Sequence, residues 1–371
     1  MQSYEAQYAL GFQQCADAIE HIGPTTEETQ GRTIMLEGHM GIGKSSMLLS
    51  LSKRLPNHIP CYFDCTTKDL GDIMIPNVQM IDGEGQFIRY LTNEELGAHN
   101  DKPIILMLDE IGKCNRAVQS ALRRVMLERK IGTRELHKES IVLATTNLGA
   151  ENVGDLMEAH KRNAITTIQV RKPTWEEWIV DFGVPNKLHP SVLGFVREFP
   201  QVFQSFEEVK DPSENPYIFH PREEREAFCT PRSLHAASDI LMKQDALDSD
   251  TIFSLLIGTI GARAAADLNT FGQLADQLPS LEDIKTNPNG AKVPPEAPAV
   301  CMTVFKVLGA MSRDLIDPWM TYLERLNTEA QAMFAQGASS KDYPEHHLVM
   351  TNKKFTQWCI ENNYLRTADQ N

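Results

Sequence analysis

The chain has 371 residues, 42% of them apolar, and a formal net charge of −14. That length suits two or three domains, and that apolar share is enough for packed cores. The acidic balance argues against wrapping DNA or RNA. No apolar run approaches a membrane span, and the first residues lack the basic-then-apolar pattern of a secretory leader. A cytoplasmic protein is expected.

In chain order, the first predicted element is a buried strand at Arg32-Thr33-Ile34-Met35-Leu36. Gly38, His39, Met40, Gly41, Ile42, Gly43, Lys44 and Ser45 follow and fit G-x-x-x-x-G-K-[ST]. Ser46-Met47-Leu48-Leu49-Ser50-Leu51 then reads as the first turns of a helix. This strand–loop–helix context is what a phosphate-binding loop requires. Glycines let the backbone wrap phosphates with its N–H groups, and the helix N-terminus adds positive potential. Lys44 is expected on the β- and γ-phosphates of ATP, and the Ser45 hydroxyl on Mg²⁺.

Cys61-Tyr62-Phe63-Asp64 reads as a second strand, with Cys61 and Cys65 on one face. The seven cysteines are expected to be reduced and buried, because a metal site at Cys61 and Cys65 needs further soft ligands that the neighbourhood lacks. Between Thr66 and Asn100, Asn77–Ile81 and Gln86–Tyr90 flank Asp82-Gly83-Glu84-Gly85, which predicts a hairpin.

Ile104-Ile105-Leu106-Met107-Leu108 is apolar throughout, as in a strand covered on both faces. Asp109 and Glu110 stand at its C-terminal end, where open α/β sheets bind ligands. Asp109 is expected to hold Mg²⁺ through water, and Glu110 to orient and polarise the attacking water. Asn115 to Lys130 reads as an amphipathic helix with Asn115 as N-cap. Val118, Ala121, Leu122, Val125 and Arg129 share a face. Ile141–Ala144 is another buried strand, ending in Thr145-Thr146-Asn147. If it neighbours the Asp109 strand, Asn147 reaches the γ-phosphate or the lytic water; otherwise it caps a turn.

After Gln169–Pro173 the pattern becomes helical. Thr174 is a predicted N-cap with Glu177 at the capping-box position. Residues 189–209 and 232–280 are mostly helical. Asp211 to Arg222 reads as a loop, and Pro231 sits where a helix begins. Lys285 to Val300 carries prolines, a glycine and asparagines and reads as a linker. Thr303–Arg313 and Ile316–Phe334 look amphipathic, with Trp319, Leu323, Leu326, Ala330 and Met333 on one face.

The phosphate loop, the Asp-Glu strand, the helix with Gln119-Ser120-Ala121-Leu122 and Met126-Leu127-Glu128-Arg129, and the strand ending Thr-Thr-Asn together resemble the AAA+ ATPases. More narrowly, they resemble the MoxR-type branch near the dynein-related group. The resemblance spans residues 31 to about 245. It implies an α/β P-loop core with a parallel sheet flanked by helices (1–172, hairpin insert near 66–100), a helical lid (173–284), a linker (285–300) and a helical C-terminal extension (301–371).

It also implies ATP hydrolysis in a homo-oligomeric ring, commonly a hexamer, that remodels a protein complex, often with a partner bearing a von Willebrand factor A domain. The hairpin would point towards the pore, or else be a plain edge hairpin. Arg162 takes the place of the arginine finger. The usual Asp-Arg-Phe or Asp-Arg-Met is here Lys161-Arg162-Asn163, which leaves Lys161 as the alternative. Arg232, in Thr230-Pro231-Arg232-Ser233, takes the place of the sensor 2 arginine that touches the γ-phosphate from the lid. Arg123-Arg124 and Arg129-Lys130 would face a neighbouring subunit. The alternative function is a DNA-associated AAA+ motor or loader, which the acidic balance disfavours.

Overall fold

A strand buried on both faces reads as a near-continuous apolar run, and three segments of the chain carry one. In the computed structural model, which describes residues 8–81, 85–147, 165–274 and 277–364, those segments are β1 (Ile34–Gly38), β5 (Ile104–Asp109) and β8 (Ile141–Asn147), each buried along its whole length. With β2 (Ile59–Asp64) and β9 (Thr166–Gln169) they form a parallel sheet in the order β2-β5-β8-β1-β9. The α/β fold expected from the residue pattern is the one observed.

Period-two alternation sends neighbouring side chains of one strand into different cores. Ile105 and Met107 pack with Ile34, Leu36, Met47 and Leu51 on the side of α1 (Phe12–Ile22) and α2 (Met47–Arg54). Leu106 and Leu108 pack with Phe63, Val118, Leu122 and Val125 on the side of α3 (Arg116–Glu128). Burying each such side chain contributes about 1.5–3 kcal/mol. Cys61, Phe63 and Cys65 share the second of these cores, while Tyr62 points the other way.

Between β2 and β5, β3 (Met74–Ile81) and β4 (Gly85–Thr92) pair antiparallel, with Val78 opposite Ile88 and Ile81 opposite Gly85. The expected hairpin is therefore present; Asp82–Glu84 at its tip lie outside the described residues. A second small hairpin, β6 (Lys130–Ile131) with β7 (Arg134–Glu135), follows α3.

Helix α3 begins as expected, with the Asn115 side chain accepting from the Val118 N–H at 2.9 Å. Its end differs. Arg129 is not on the helix face but caps it in the left-handed conformation (φ 57°, ψ 34°). From there its buried guanidinium donates to Thr33 Oγ1 and to the carbonyls of Met126 (2.7 Å) and Gly23 (3.4 Å). Arg129 thus ties α3 to the start of β1 and is not a surface residue for a neighbour.

The chain divides into two compact units, Met1–Lys172 and Pro173–Asn371. The second is helical: α4 (Pro190–Glu198), α5 (Pro231–Leu241), α6 (Ser249–Ile260), α7 (Ala262–Leu274), α8 (Leu281–Thr286), α9 (Ala297–Gly309), α10 (Ile316–Leu323), α11 (Thr328–Ser339) and α12 (Lys353–Glu361), with shorter turns between. One core runs through it from Trp178 to Cys359. The proline-rich stretch 285–300 packs into that core instead of spanning open space. Ala291 is buried, Arg325 donates to the carbonyls of Pro288 (2.6 Å) and Ala291 (2.8 Å), and the Tyr322 hydroxyl donates to that of Lys292 (2.7 Å). The amphipathic run 316–334 is broken into α10 and α11, because Asn327 stops to cap α11 through the Ala330 N–H at 2.9 Å. Among the described residues, no helix is long and apolar enough to cross a membrane.

Candidate functional site

β1 ends at Gly38, and the chain turns through Gly41 (φ 72°) and Gly43 (φ 99°) before α2. Both angles lie in the region that glycine enters without steric cost. A Cβ at Gly43 would meet nothing within 4 Å. Backbone conformation, not crowding, requires glycine there, and that side of the loop is open. Gly38 is the opposite case. A Cβ there would stand 2.7 Å from Ile42 Cδ1 and 2.8 Å from the Val170 carbonyl.

Lys44 is only 8% exposed, and a buried cation needs partners. Its Nζ donates to the carbonyls of Gly38 (2.7 Å) and His39 (2.7 Å) and to Asn147 Oδ1 (2.8 Å). Sheet order explains the last bond. β8 lies between β5 and β1, and Asn147 is opposite Gly38 in register. Asn147 Nδ2 in turn donates to Glu110 Oε1 at 3.4 Å, so one amide bridges the phosphate-loop lysine and the proposed base.

Asp109 accepts from three hydroxyls: Ser45 Oγ (3.0 Å to Oδ2, 3.3 Å to Oδ1), Tyr62 (2.7 Å to Oδ2) and Thr145 Oγ1. A serine hydroxyl against a carboxylate is an oxygen donor set of the kind a hard divalent cation takes, so Ser45 and Asp109 fit Mg²⁺. Burial, then the hydrogen bond to Asp109 and its charge, with Asp64 and Glu110 adding, push the Tyr62 phenol well above its ordinary pKa. It remains a donor at any working pH.

Glu110 adopts φ 52°, a left-handed conformation that costs a non-glycine residue about 1–2 kcal/mol. It is held there from β8. The Glu110 N–H donates to Thr145 Oγ1 (2.9 Å), and the Ile111 N–H donates to the Thr145 carbonyl (3.0 Å). This turn aims the Glu110 carboxylate at Asn147. Its other oxygen takes Lys113 Nζ at 2.6 Å.

Lys44, Ser45, Asp109, Glu110 and Asn147 are therefore gathered at the C-terminal ends of β1, β5 and β8, with His39, Met40, Ile42 and Ser46 in the same turn. Arg232 belongs to the second unit, exposed in the first turn of α5 behind the Thr230 cap and Pro231. Arg162 and Lys161 lie outside the described residues. Tyr62, Thr145 and Lys113 carry no motif signature. Thr145 lies in the noted Thr-Thr-Asn triplet, but its bonds to Asp109 and Glu110 depend on β8 lying beside β5.

Residues 33–169, a little over a third of the chain, match the AAA domain of the dynein-related subfamily. With the phosphate loop, the acid pair and the asparagine strand in place, that match decides the assignment. Residues 33–169 are an AAA domain of the dynein-related subfamily. This AAA domain makes the protein an ATP hydrolase.

No curated protein matches the chain. Among solved structures, NtrX from Brucella abortus in complex with ADP is similar at 14% identity over 95% of this chain and 68% of that one (TM-score 0.35). RuvB from Thermogota maritima is similar at 11% identity over 73% of this chain and 69% of that one (TM-score 0.35). Likeness at this level says nothing of what this chain acts on.

Proposed function

We propose that this AAA domain works as a MoxR-like motor in the cytoplasm, hydrolysing ATP in a ring of identical subunits to remodel a protein complex. The observation that carries the reading is the continuous linkage of Lys44, Asn147 and Glu110 beside the Ser45–Asp109 pair. Lys44 has its charge where the β- and γ-phosphates arrive at the loop. Glu110 takes the proton of the attacking water, and Asn147 orients that water. Ser45 and Asp109 would hold Mg²⁺, which neutralises charge developing on the phosphates.

In the same reading, Arg162 acts as arginine finger on the next subunit's ATP. Arg232 touches the γ-phosphate from the lid (173–284), which the packed stretch 285–300 joins to an extension (301–371). The β3–β4 hairpin meets substrate at the pore, and a von Willebrand factor A domain protein is the adaptor. A hexamer is the expected ring.

The test is a mixing experiment. Arg162→Ala and Lys44→Ala proteins are each inactive, but a mixed ring contains interfaces that pair an intact finger with an intact loop. Partial ATPase activity on mixing, with turnover that rises more than linearly with protein concentration, is the expected result. A strictly monomeric protein with wild-type turnover refutes the ring mechanism.

A further inference from the structure

We propose that Tyr62 is a positioning residue for the divalent cation: its hydroxyl and that of Thr145 clamp the Asp109 carboxylate so that it meets the cation in a preset orientation. The inference deepens the reading of Ser45 and Asp109 as the cation site and rests on it.

Among the described residues, Tyr62 belongs to none of the buried apolar clusters. On β2, Cys61 and Phe63 point into the core shared with α3, whereas Tyr62 is 46% exposed. What its side chain does is reach across one strand spacing to β5, where its hydroxyl donates to Asp109 Oδ2 at 2.7 Å. Thr145, fully buried on β8, donates to the other oxygen, Oδ1, and also accepts the Glu110 N–H. Asp109 is therefore gripped from both neighbouring strands, one hydroxyl to each oxygen. The carboxylate plane cannot turn without breaking one of these bonds.

Ser45 is the third donor and spans both oxygens at longer distance, 3.0 and 3.3 Å. It is the one whose oxygen would serve a cation instead. Two hydroxyls keep the acid aimed while the third is exchanged. Partners that orient a metal's carboxylate typically matter about 10- to 100-fold in metal affinity.

The experiment titrates Mg²⁺ into wild-type and Tyr62→Phe protein holding a fluorescent ATP analogue, starting from EDTA. Phenylalanine keeps the ring and removes only the hydroxyl, and a melting curve checks the fold. The expected result is equal analogue affinity in EDTA, with the Mg²⁺ midpoint raised about 10-fold in Tyr62→Phe. Mn²⁺ detected by electron paramagnetic resonance should show the same weakening without any turnover. A midpoint shifted less than twofold, or shifted to lower Mg²⁺, overturns the role of Tyr62 while leaving the nucleotide site standing. Wild-type protein that binds the analogue neither with nor without Mg²⁺ overturns the nucleotide site itself, and this inference with it.

Discussion

Replacing Glu110 by glutamine separates chemistry from structure at this site. Glutamine keeps the size and the backbone geometry of Glu110 but cannot take a proton from water. Losing a positioned base costs about 10² to 10⁴ in rate, or about 2.7–5.4 kcal/mol of barrier at 1.36 kcal/mol per decade. The structural cost is far smaller. Among the described residues, the charge partner lost is Lys113, in a pair whose side chains are 38% and 34% exposed, and such pairs contribute about 0–1 kcal/mol.

Glu110→Gly supplies the control for the φ of 52°. Relief of the left-handed conformation returns about 1–2 kcal/mol. The extra chain entropy of glycine takes back about 0.5–1 kcal/mol, so its stability also stays near wild type. Both variants should bind ATP and fail to hydrolyse it. A phosphate-release assay, fluorescent-ATP binding and urea unfolding measure the three quantities. Wild-type turnover in Glu110→Gln refutes the assignment of the base. Loss of ATP binding in step with turnover shows instead that Glu110 supports the loop.

Gly38→Ala should destabilise the first unit by about 1–3 kcal/mol in chemical denaturation, because the new Cβ would meet the Val170 carbonyl at 2.8 Å, and Val170 is bonded to β1 through Glu37. In the second unit two groups titrate in opposite senses. Burial, with Asp342 and Glu177 nearby, raises Asp181 to about 6, so its folded form takes up a proton first and stability grows as pH falls through 6 towards the ordinary carboxylate range. Burial lowers His189 to about 4, and its Nδ1 accepts the Ser191 N–H at the start of α4, so stability is lost as pH falls from about 6.5 to 4. Asp181→Asn leaves the histidine unopposed by Asp181, and melting temperatures between pH 6.5 and 4 should fall more steeply than in wild type. An identical profile refutes the pairing of these two effects.

Local chemistry was legible before any fold was known. A phosphate loop is built from consecutive residues, so Gly38 to Ser46 announce their strand, turn and helix within one short stretch. Fully apolar runs ending in Asp109-Glu110 and in Asn147 likewise mark buried parallel strands by their own pattern. Asn115 and Thr174 mark helix starts, because a cap acts on N–H groups only two or three residues ahead, and Pro231 marks one because its missing N–H and fixed φ suit the first helical position.

What required the tertiary structure is whatever depends on which strand lies beside which. Asn147 joins Lys44 to Glu110 because β8 falls between β1 and β5. Tyr62 reaches Asp109 because β2 lies against β5. No spacing along the chain encodes either fact. Arg129 deceived the helical period, because a left-handed residue at a helix end carries its side chain off the face that periodicity assigns. The stretch 285–300 has a linker's composition, yet Tyr322 and Arg325, distant in sequence, hold its carbonyls. Composition reports what a segment can do alone, while packing decides which distant donors satisfy its backbone.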